Sequence, residues 1–415
     1  MVVDIFGMWV RGFVAVAVIS LGLLCLGQWY EALPTTQESV TFATFAERFQ
    51  AWRPGIDVST AYFTGGVLLL LFALGGRWLA TPTFFRRKGT DEPRREPAAE
   101  TMRVRRPDGT VLHVEFHGPV DAPPLVLTHG WGCDHVVWHY LKRELGEKYR
   151  LILWDLPGLG QSTEPGNHDY SLEKMARDLD AVIGVAGSQP VTLVGHSIGG
   201  MTMLTYAKLF PEALGSRVAG MILVNTSYTN PLRTMKWGRL ISAFEKPVAV
   251  PLAYLTIAAS PLLRVLNCLS YLNGSAHRSS ARQGFAGTET RGQLDLAASY
   301  YVQSSPAVIA RGILGMLRYD ATQVLSSIPV PALAVAGDGD RITPPEVHER
   351  ISTTMPRGDM ATLGPARHLS MVERHPEFAQ LVDQFCSTYG AGEVEFAEAG
   401  TYPKPRHSTM HLVIN

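Results

Sequence analysis

The sequence predicts an α/β fold, a mostly parallel sheet flanked by helices, preceded by a transmembrane helical hairpin. Three observations predict it. Short apolar runs alternate with helical segments from Met102 onward, a Gly195-His196-Ser197-Ile198-Gly199 turn separates one such run from a helix, and two long uncharged runs precede them all. Alternating strands and helices need crossover connections, which cover both faces of a parallel sheet. A length of 415 residues suits one such domain with appendages. Lys+Arg and Asp+Glu number 37 each, a balance that argues against a nucleic-acid partner. Cys25, Cys133, Cys268 and Cys386 form no CxxC pair, which argues against a zinc site or a disulfide framework. Unpaired thiols are expected, with Cys133 beside the expected site.

The first element is the hairpin, over residues 1–88. Gly12–Tyr30 and Val58–Gly76 are uncharged runs of 19 residues each. As helices they cover roughly 28 Å, close to the hydrocarbon thickness of a bilayer. Arg11 could flank a cleaved signal, but no small-residue cleavage site follows and a second run does, so two retained helices are expected. Residues 28–57 hold four acids against Arg48 and Arg53, whereas 77–106 hold nine Arg/Lys against four acids. Basic residues stay cytoplasmic, which puts both hairpin ends and the main domain on that side. Residues 89–101 read as a polar linker.

The main domain, 102–389, opens with a hairpin turning at Pro107-Asp108-Gly109 between Met102–Arg105 and Val111–Phe116. Strand-like runs follow at Leu125–Thr128, Leu151–Trp154, Val191–Val194, Met221–Val224 and Ala332–Ala336. Between them, Ser171–Val185 places Leu172, Met175, Ala176, Leu179, Val182 and Ile183 at helical spacing. Ligands of such sheets bind beyond the carboxyl ends of strands. Chemistry is therefore expected where strands stop.

Ser197 stands where the Val191–Val194 strand turns into the Met201–Leu209 helix. A G-x-S-x-G in that context is a nucleophile elbow, a sharp turn that exposes the serine at a helix N-terminus. Gly195 and Gly199 permit the close approach. An acyl-transfer serine also needs backbone N–H donors for an oxyanion. Ile198 supplies one, and Trp131 of His129-Gly130-Trp131-Gly132 the other. His129 reads as a brace of that loop. The acid follows Ala332–Ala336, where Asp338 and Asp340 are both candidates; Asp340, deeper in the loop, is preferred. Asn225 occupies the competing position after Met221–Val224 and carries no charge. The base is His368. His348 and His375 read as surface or capping residues.

These residues together resemble the α/β-hydrolase superfamily over about Met102 to Tyr389. The matching motifs are the His129–Gly132 loop, Asp155-Leu156-Pro157-Gly158-Leu159-Gly160-Gln161-Ser162, the elbow, the Asp-bearing loop and the late histidine. The resemblance implies a serine hydrolase acting on an ester or related acyl bond, with no metal and no organic cofactor. Serine at the elbow disfavours dehalogenase and epoxide-hydrolase chemistry. Perhydrolase or carbon–carbon bond hydrolase activity stays open, as does a non-catalytic small-molecule receptor on the same fold.

The resemblance also implies a helical cap, here at about 226–328. From Pro247 to Leu272 the only charge is Arg264. Three prolines argue against a simple spanning helix. The stretch is either cap packing on the core or a lid whose apolar face meets the bilayer and admits a lipid-like acyl substrate. The tail 390–415 lacks periodicity and is expected to be loosely ordered.

Overall fold

The computed structural model describes residues 2–33, 57–79, 85–235 and 238–389. The outer part of the hairpin loop and the tail 390–415 lie outside them.

Eight strands form one sheet in the order β1-β2-β4-β3-β5-β6-β7-β8. They are β1 Glu100–Arg105, β2 Val111–His117, β3 Pro124–Thr128, β4 Arg150–Trp154, β5 Val191–His196, β6 Val218–Val224, β7 Ala332–Gly337 and β8 Gly358–Leu363. β1 and β2 pair antiparallel and β2 meets β4 antiparallel, while all later pairs are parallel. Every residue of β3, β4, β5, β6 and β7 is buried. Continuous apolar runs are what a sheet covered on both faces requires. Side chains alternate between faces: Ile152 and Trp154 join one core layer, Leu151 and Leu153 the other. Helix α3 (Leu172–Val185) covers the first layer, its N-terminus capped by Ser171, whose side chain accepts from the Lys174 N–H.

The strand order reverses between β3 and β5, since β4 lies to one side of β3 and β5 to the other. Such a reversal opens a crevice at the carboxyl ends. Helix α4 (Ile198–Leu209) follows β5 there.

Between β6 and β7 the chain forms a helical insertion. Its helices α5 (Val250–Ala258) and α6 (Ser260–Leu272) meet at a sharp break, with the segments Glu245–Ala258 and Ser260–Leu272 at 92°. Pro261 falls in the first turn of α6, where a missing N–H costs nothing. The faces of this pair differ. Ala253, Leu263 and Leu266 are buried, while Tyr254, Leu255, Leu262 and Val265 are more than half exposed.

The hairpin helices are α1 (Val2–Glu31) and α2 (Val58–Leu79); within them Ile5–Glu31 and Val58–Trp78 are long and apolar enough to cross a membrane. They run antiparallel, with the Trp29 and Phe63 rings 4.8 Å apart at one end. Gly22 and Gly66 mark the crossing, where a Cβ on Gly66 would lie 2.9 Å from the Gly22 carbonyl oxygen. Small residues allow such contact between apolar helices.

Two sequence expectations need correction. Helix α1 starts ten residues before the uncharged run, because its first turns pack on the insertion: Ile5, Met8 and Arg11 are buried, and Trp9 Nε1 donates to Thr256 Oγ1 at 3.0 Å. The 89–101 segment is not a free linker. Glu92 Oε2 accepts from Thr290 Oγ1 at 2.5 Å and from the Gly292 N–H at 3.0 Å, Arg95 pairs with Asp134, and Glu100 already belongs to β1.

Candidate active site

Ser197 follows β5 at φ 54°, ψ −118°, and its main-chain N–H donates to the Val224 carbonyl at 2.9 Å. Positive φ is costly for a residue with a Cβ and persists only where its surroundings enforce it. The neighbours do enforce it: a Cβ on Gly199 would lie 2.3 Å from the Thr128 carbonyl oxygen, so only glycine lets the turn close against β3. The Gly200 and Met201 N–H groups donate back to Ser197 O at 3.0 and 3.2 Å. The Ile198 N–H stands ahead of these at the first position of α4, where helix geometry leaves it without an intrahelical acceptor.

Asp340, His368 and Ser197 come together as an ordered chain. His368 Nε2 lies 3.1 Å from Ser197 Oγ, and His368 Nδ1 lies 2.8 Å from Asp340 Oδ2. The same oxygen accepts from Thr343 Oγ1 at 2.7 Å and Asn225 Nδ2 at 2.8 Å, while Oδ1 accepts from the Ile342 N–H at 2.8 Å. Burial alone would raise the Asp340 carboxyl. The facing His368 and these hydrogen bonds outweigh it and hold the group well below the usual carboxylate range. Asp338, the other candidate, instead accepts from the Ala366 N–H at 2.9 Å and so fixes the loop that carries His368.

Supporting residues are arranged around this chain. His129 is fully buried; its Nε2 accepts from the Leu156 N–H at 3.0 Å and its Nδ1 faces the Gly130 carbonyl at 2.8 Å, which makes it the expected brace. A Cβ on Gly130 would lie 2.4 Å from His196 Nδ1, so the loop lies flat against the elbow. Trp131 Nε1 donates to the Ile309 carbonyl at 3.0 Å and thereby ties the loop to the insertion. His348 corrects the sequence reading. It is fully buried, and its Nε2 accepts from the Thr226 N–H at 3.0 Å, while Thr226 Oγ1 donates to Ser197 O at 2.6 Å. His375 opens the last helix and stacks on Tyr140, 3.9 Å between centroids. All four cysteines are free, and burial pushes the Cys133 thiol far above its usual range, away from nucleophilic use.

A cavity of about 170 Å³ extends from Ser197 and His368 past Gly130 and Trp131. Its far wall comes from the insertion, including Asn267, Tyr301 and Ile309, and from Met8 of α1. Sequence reasoning assigned Met8 to the anchor, with no signal to place it here.

A second group was also missed. On β2, His113, Glu115 and His117 alternate onto one face. Glu115 lies 3.1 Å from His113 Nε2, 3.1 Å from His117 Nε2 and 3.2 Å from His135 Nε2, while His135 Nδ1 lies 2.9 Å from Asp155. The ligating atoms of His113, His135 and Asp155 fall within 4.8 Å of one another, so these residues could hold a metal ion. Both carboxylates already face imidazole nitrogens at hydrogen-bond distance. Burial opposes ionisation of each, yet the histidines hold Glu115 and Asp155 below their usual ranges. The H-x-E-x-H alternation is the signal that could have revealed the group.

Comparison with known proteins decides the family. The family model described as alpha/beta hydrolase fold matches residues 123–374. The chain belongs to the alpha/beta hydrolase fold family. Among curated members, it is similar to the pimeloyl-[acyl-carrier protein] methyl ester esterase of Aeromonas hydrophila, 27% identical over 267 residues that span 63% of this chain and 95% of that one. The same enzyme of Yersinia enterocolitica is 30% identical over 63% of this chain and 92% of its own. A putative carbamate hydrolase of Stutzerimonas stutzeri is 26% identical over 65% and 95%. Among alpha/beta hydrolases of known structure, a Thermogutta terrifontis esterase superposes with TM-score 0.56 at 23% identity, over 70% of this chain and 99% of that one. That likeness carries the fold. The chain is thus a member of a hydrolase family with esterase relatives.

Proposed function

We propose that this protein is a membrane-anchored serine hydrolase that cleaves a carboxylic ester, or a related acyl bond, of an apolar substrate. The observation that carries the reading is the Ser197–His368–Asp340 chain, with the serine held at positive φ beneath a largely apolar cavity. His368 takes the Ser197 proton while Asp340 holds the ring orientation and stabilises the imidazolium. Ser197 Oγ bonds to the substrate carbonyl carbon, and the oxyanion is received by the Ile198 and Trp131 N–H groups. The carbon–oxygen bond to the alcohol breaks, the alcohol leaves with the proton from His368, and an acyl-enzyme remains. Water then gives its proton to His368 and attacks the acyl carbon; the proton returns to Ser197 as the acid departs. No step calls for a metal or an organic cofactor. The methyl ester esterase and carbamate hydrolase relatives both support cleavage of an ester or related acyl bond.

The anchor is α1 and α2, with the catalytic domain at the cytoplasmic face by the arginine and lysine excess after α2. Both helices meet the insertion at the end away from the connecting loop, Gly12 against Leu266 and Gly76 against Asn273, which supports a domain resting directly on the bilayer. A phosphatase reporter that works only outside the cytoplasm is expected to be inactive when fused after Glu100, and an active fusion would reverse the orientation.

Labelling of the full-length protein with a fluorophosphonate tests the chemistry. Ser197→Ala should abolish the label and cut ester turnover at least ~1,000-fold without loss of folded protein. Labelling that persists in this variant removes the proposal. A diketone assayed beside p-nitrophenyl esters separates carbon–carbon cleavage, and absence of label in the wild type would favour a receptor.

A further inference from the structure

Arg11 is the last residue before the uncharged run of α1. At that height an arginine ordinarily reaches outward to lipid headgroups. Here it turns inward. The residue is 6% exposed, Nη1 donates to Ser279 Oγ at 3.0 Å, and the guanidinium carbon lies 4.3 Å from the centre of the Tyr301 ring. Among the described residues, Nε and Nη2 have no hydrogen-bond partner, from a carboxylate or otherwise. A buried guanidinium is expensive unless an anion meets it. One neutral hydroxyl and one ring face offset only part of that cost.

The two free donors are a matched pair. Nε and Nη2 form one edge of the guanidinium fork, the edge that takes two oxygens of a phosphate or carboxylate in parallel. The position of this edge also matters. Tyr301, on which Arg11 stacks, lines the cavity of Ser197, and Met8, one turn earlier on the same face of α1, lines it too. An anion at Arg11 would therefore lie one side chain away from the catalytic cavity, level with the start of the apolar span.

We propose that Arg11 receives the anionic group, a phosphate or carboxylate, of an acyl lipid whose ester bond reaches Ser197. This rests on the serine-hydrolase reading above and narrows its substrate to an anionic amphiphile. The anchor helix is then part of the substrate site as well as a tether.

The test uses full-length protein in lipid nanodiscs, as wild type, Arg11→Gln and Arg11→Lys, given a phosphatidylglycerol and a diacylglycerol with the same acyl chains. The readout is the ratio of kcat/KM for the anionic over the neutral lipid. Arg11→Gln should lower that ratio at least ~10-fold, and Arg11→Lys should restore only part of it, since an ammonium lacks the fork. A ratio within twofold of wild type overturns the proposal. So does an equal fall on both lipids with a lower melting temperature, which would make Arg11 a packing residue. A second measurement stands if Arg11→Gln does not fold: the wild type in neutral detergent is melted with a lysophosphatidic acid and with inorganic phosphate. Stabilisation by the amphiphile alone makes a lipid the source, stabilisation by both extends the site to free phosphate, and stabilisation by neither overturns the proposal. Fluorophosphonate labelling of the same samples reports separately on Ser197, so failure of the enzymatic reading is visible apart from failure at Arg11.

Discussion

At the scale of single residues, the two acidic candidates have separable roles. Asp340 touches His368 Nδ1, whereas Asp338 bonds the Ala366 N–H two residues before that histidine. Asp340→Asn keeps the shape but removes the charge that stabilises the imidazolium and fixes the tautomer. Its kcat should fall by roughly 10⁴, with the melting temperature changed far less. Asp338→Asn should do the opposite, a modest loss of turnover with a lower melting temperature, because it weakens the loop that presents His368. Steady-state kinetics beside thermal melts of both variants check this, and a larger kinetic loss at Asp338 would move the acid. Asn225 shows what a sequence alone cannot rank. Dismissed there as uncharged, it donates to Asp340 Oδ2 at 2.8 Å from a backbone at φ 44°, and so positions the acid it does not replace.

At the scale of elements, the inner strands β3 to β7 were legible because each carries a short, largely apolar run, and Ser197 because the turn it needs admits few residues. The parts that were not legible depend on contacts across long stretches of chain. Helix α1 carries the composition of a membrane span, so Met8 and Trp9 gave no hint that they meet the insertion some 250 residues later. His348 lies on the helix Pro345–Thr354, where its ring is buried against the Thr226 N–H that arrives from the end of β6. The Pro247–Leu272 stretch was left between cap core and lipid-facing lid, and its two faces differ in burial. Leu263 and Leu266 pack with Met8, whereas Leu255 and Leu262 are 53% and 56% exposed. If that outer face meets lipid, Leu255→Asp with Leu262→Asp should lower the rate on long-chain esters in vesicles about 10-fold relative to a soluble short-chain ester, since charge is costly in an apolar phase. Turnover of both substrates by the double variant, on protein of wild-type melting temperature, measures this. An unchanged ratio would leave the face without a lipid role.

At the scale of the whole molecule, the machinery around Ser197 makes the fold sensitive to acid. Burial of His129, His196 and His348 disfavours their charged forms and lowers all three, His196 to about 3 and His348 to about 4. In the unfolded chain these rings take up protons near pH 6.5. Between that value and the folded ones the unfolded state binds more protons, so stability is complete above about pH 6.5 and falls as the pH drops. Each such histidine contributes a slope of about 1.4 kcal/mol per pH unit. His135 works in the other direction. Burial lowers it, but the hydrogen bond and charge of Asp155 outweigh that and raise it, so its contribution is present below about pH 6.5 and is lost as the pH rises through its folded value. Its pH dependence therefore lies above about pH 6.5 and leaves the slope of the other three below that value unchanged. The carboxylates Asp340, Glu115 and Asp155 are all held low, so their contributions fade only at more acidic pH. The net expectation is a melting temperature that declines from pH 7 to pH 5, before Asp340, Glu115 or Asp155 titrates. His348→Gln isolates one part of that slope, because a glutamine oxygen can still accept from the Thr226 N–H but takes up no proton in either state. Its stability at pH 7 should be lower than wild type through imperfect packing, while its loss between pH 7 and pH 5 should be smaller by about 2 kcal/mol. Denaturant melts of both proteins at the two pH values, in the same detergent, give the difference directly. Parallel losses would mean that His348 does not carry the acid sensitivity, and that the Thr226–His348 contact behind the nucleophile is not held by a neutral ring.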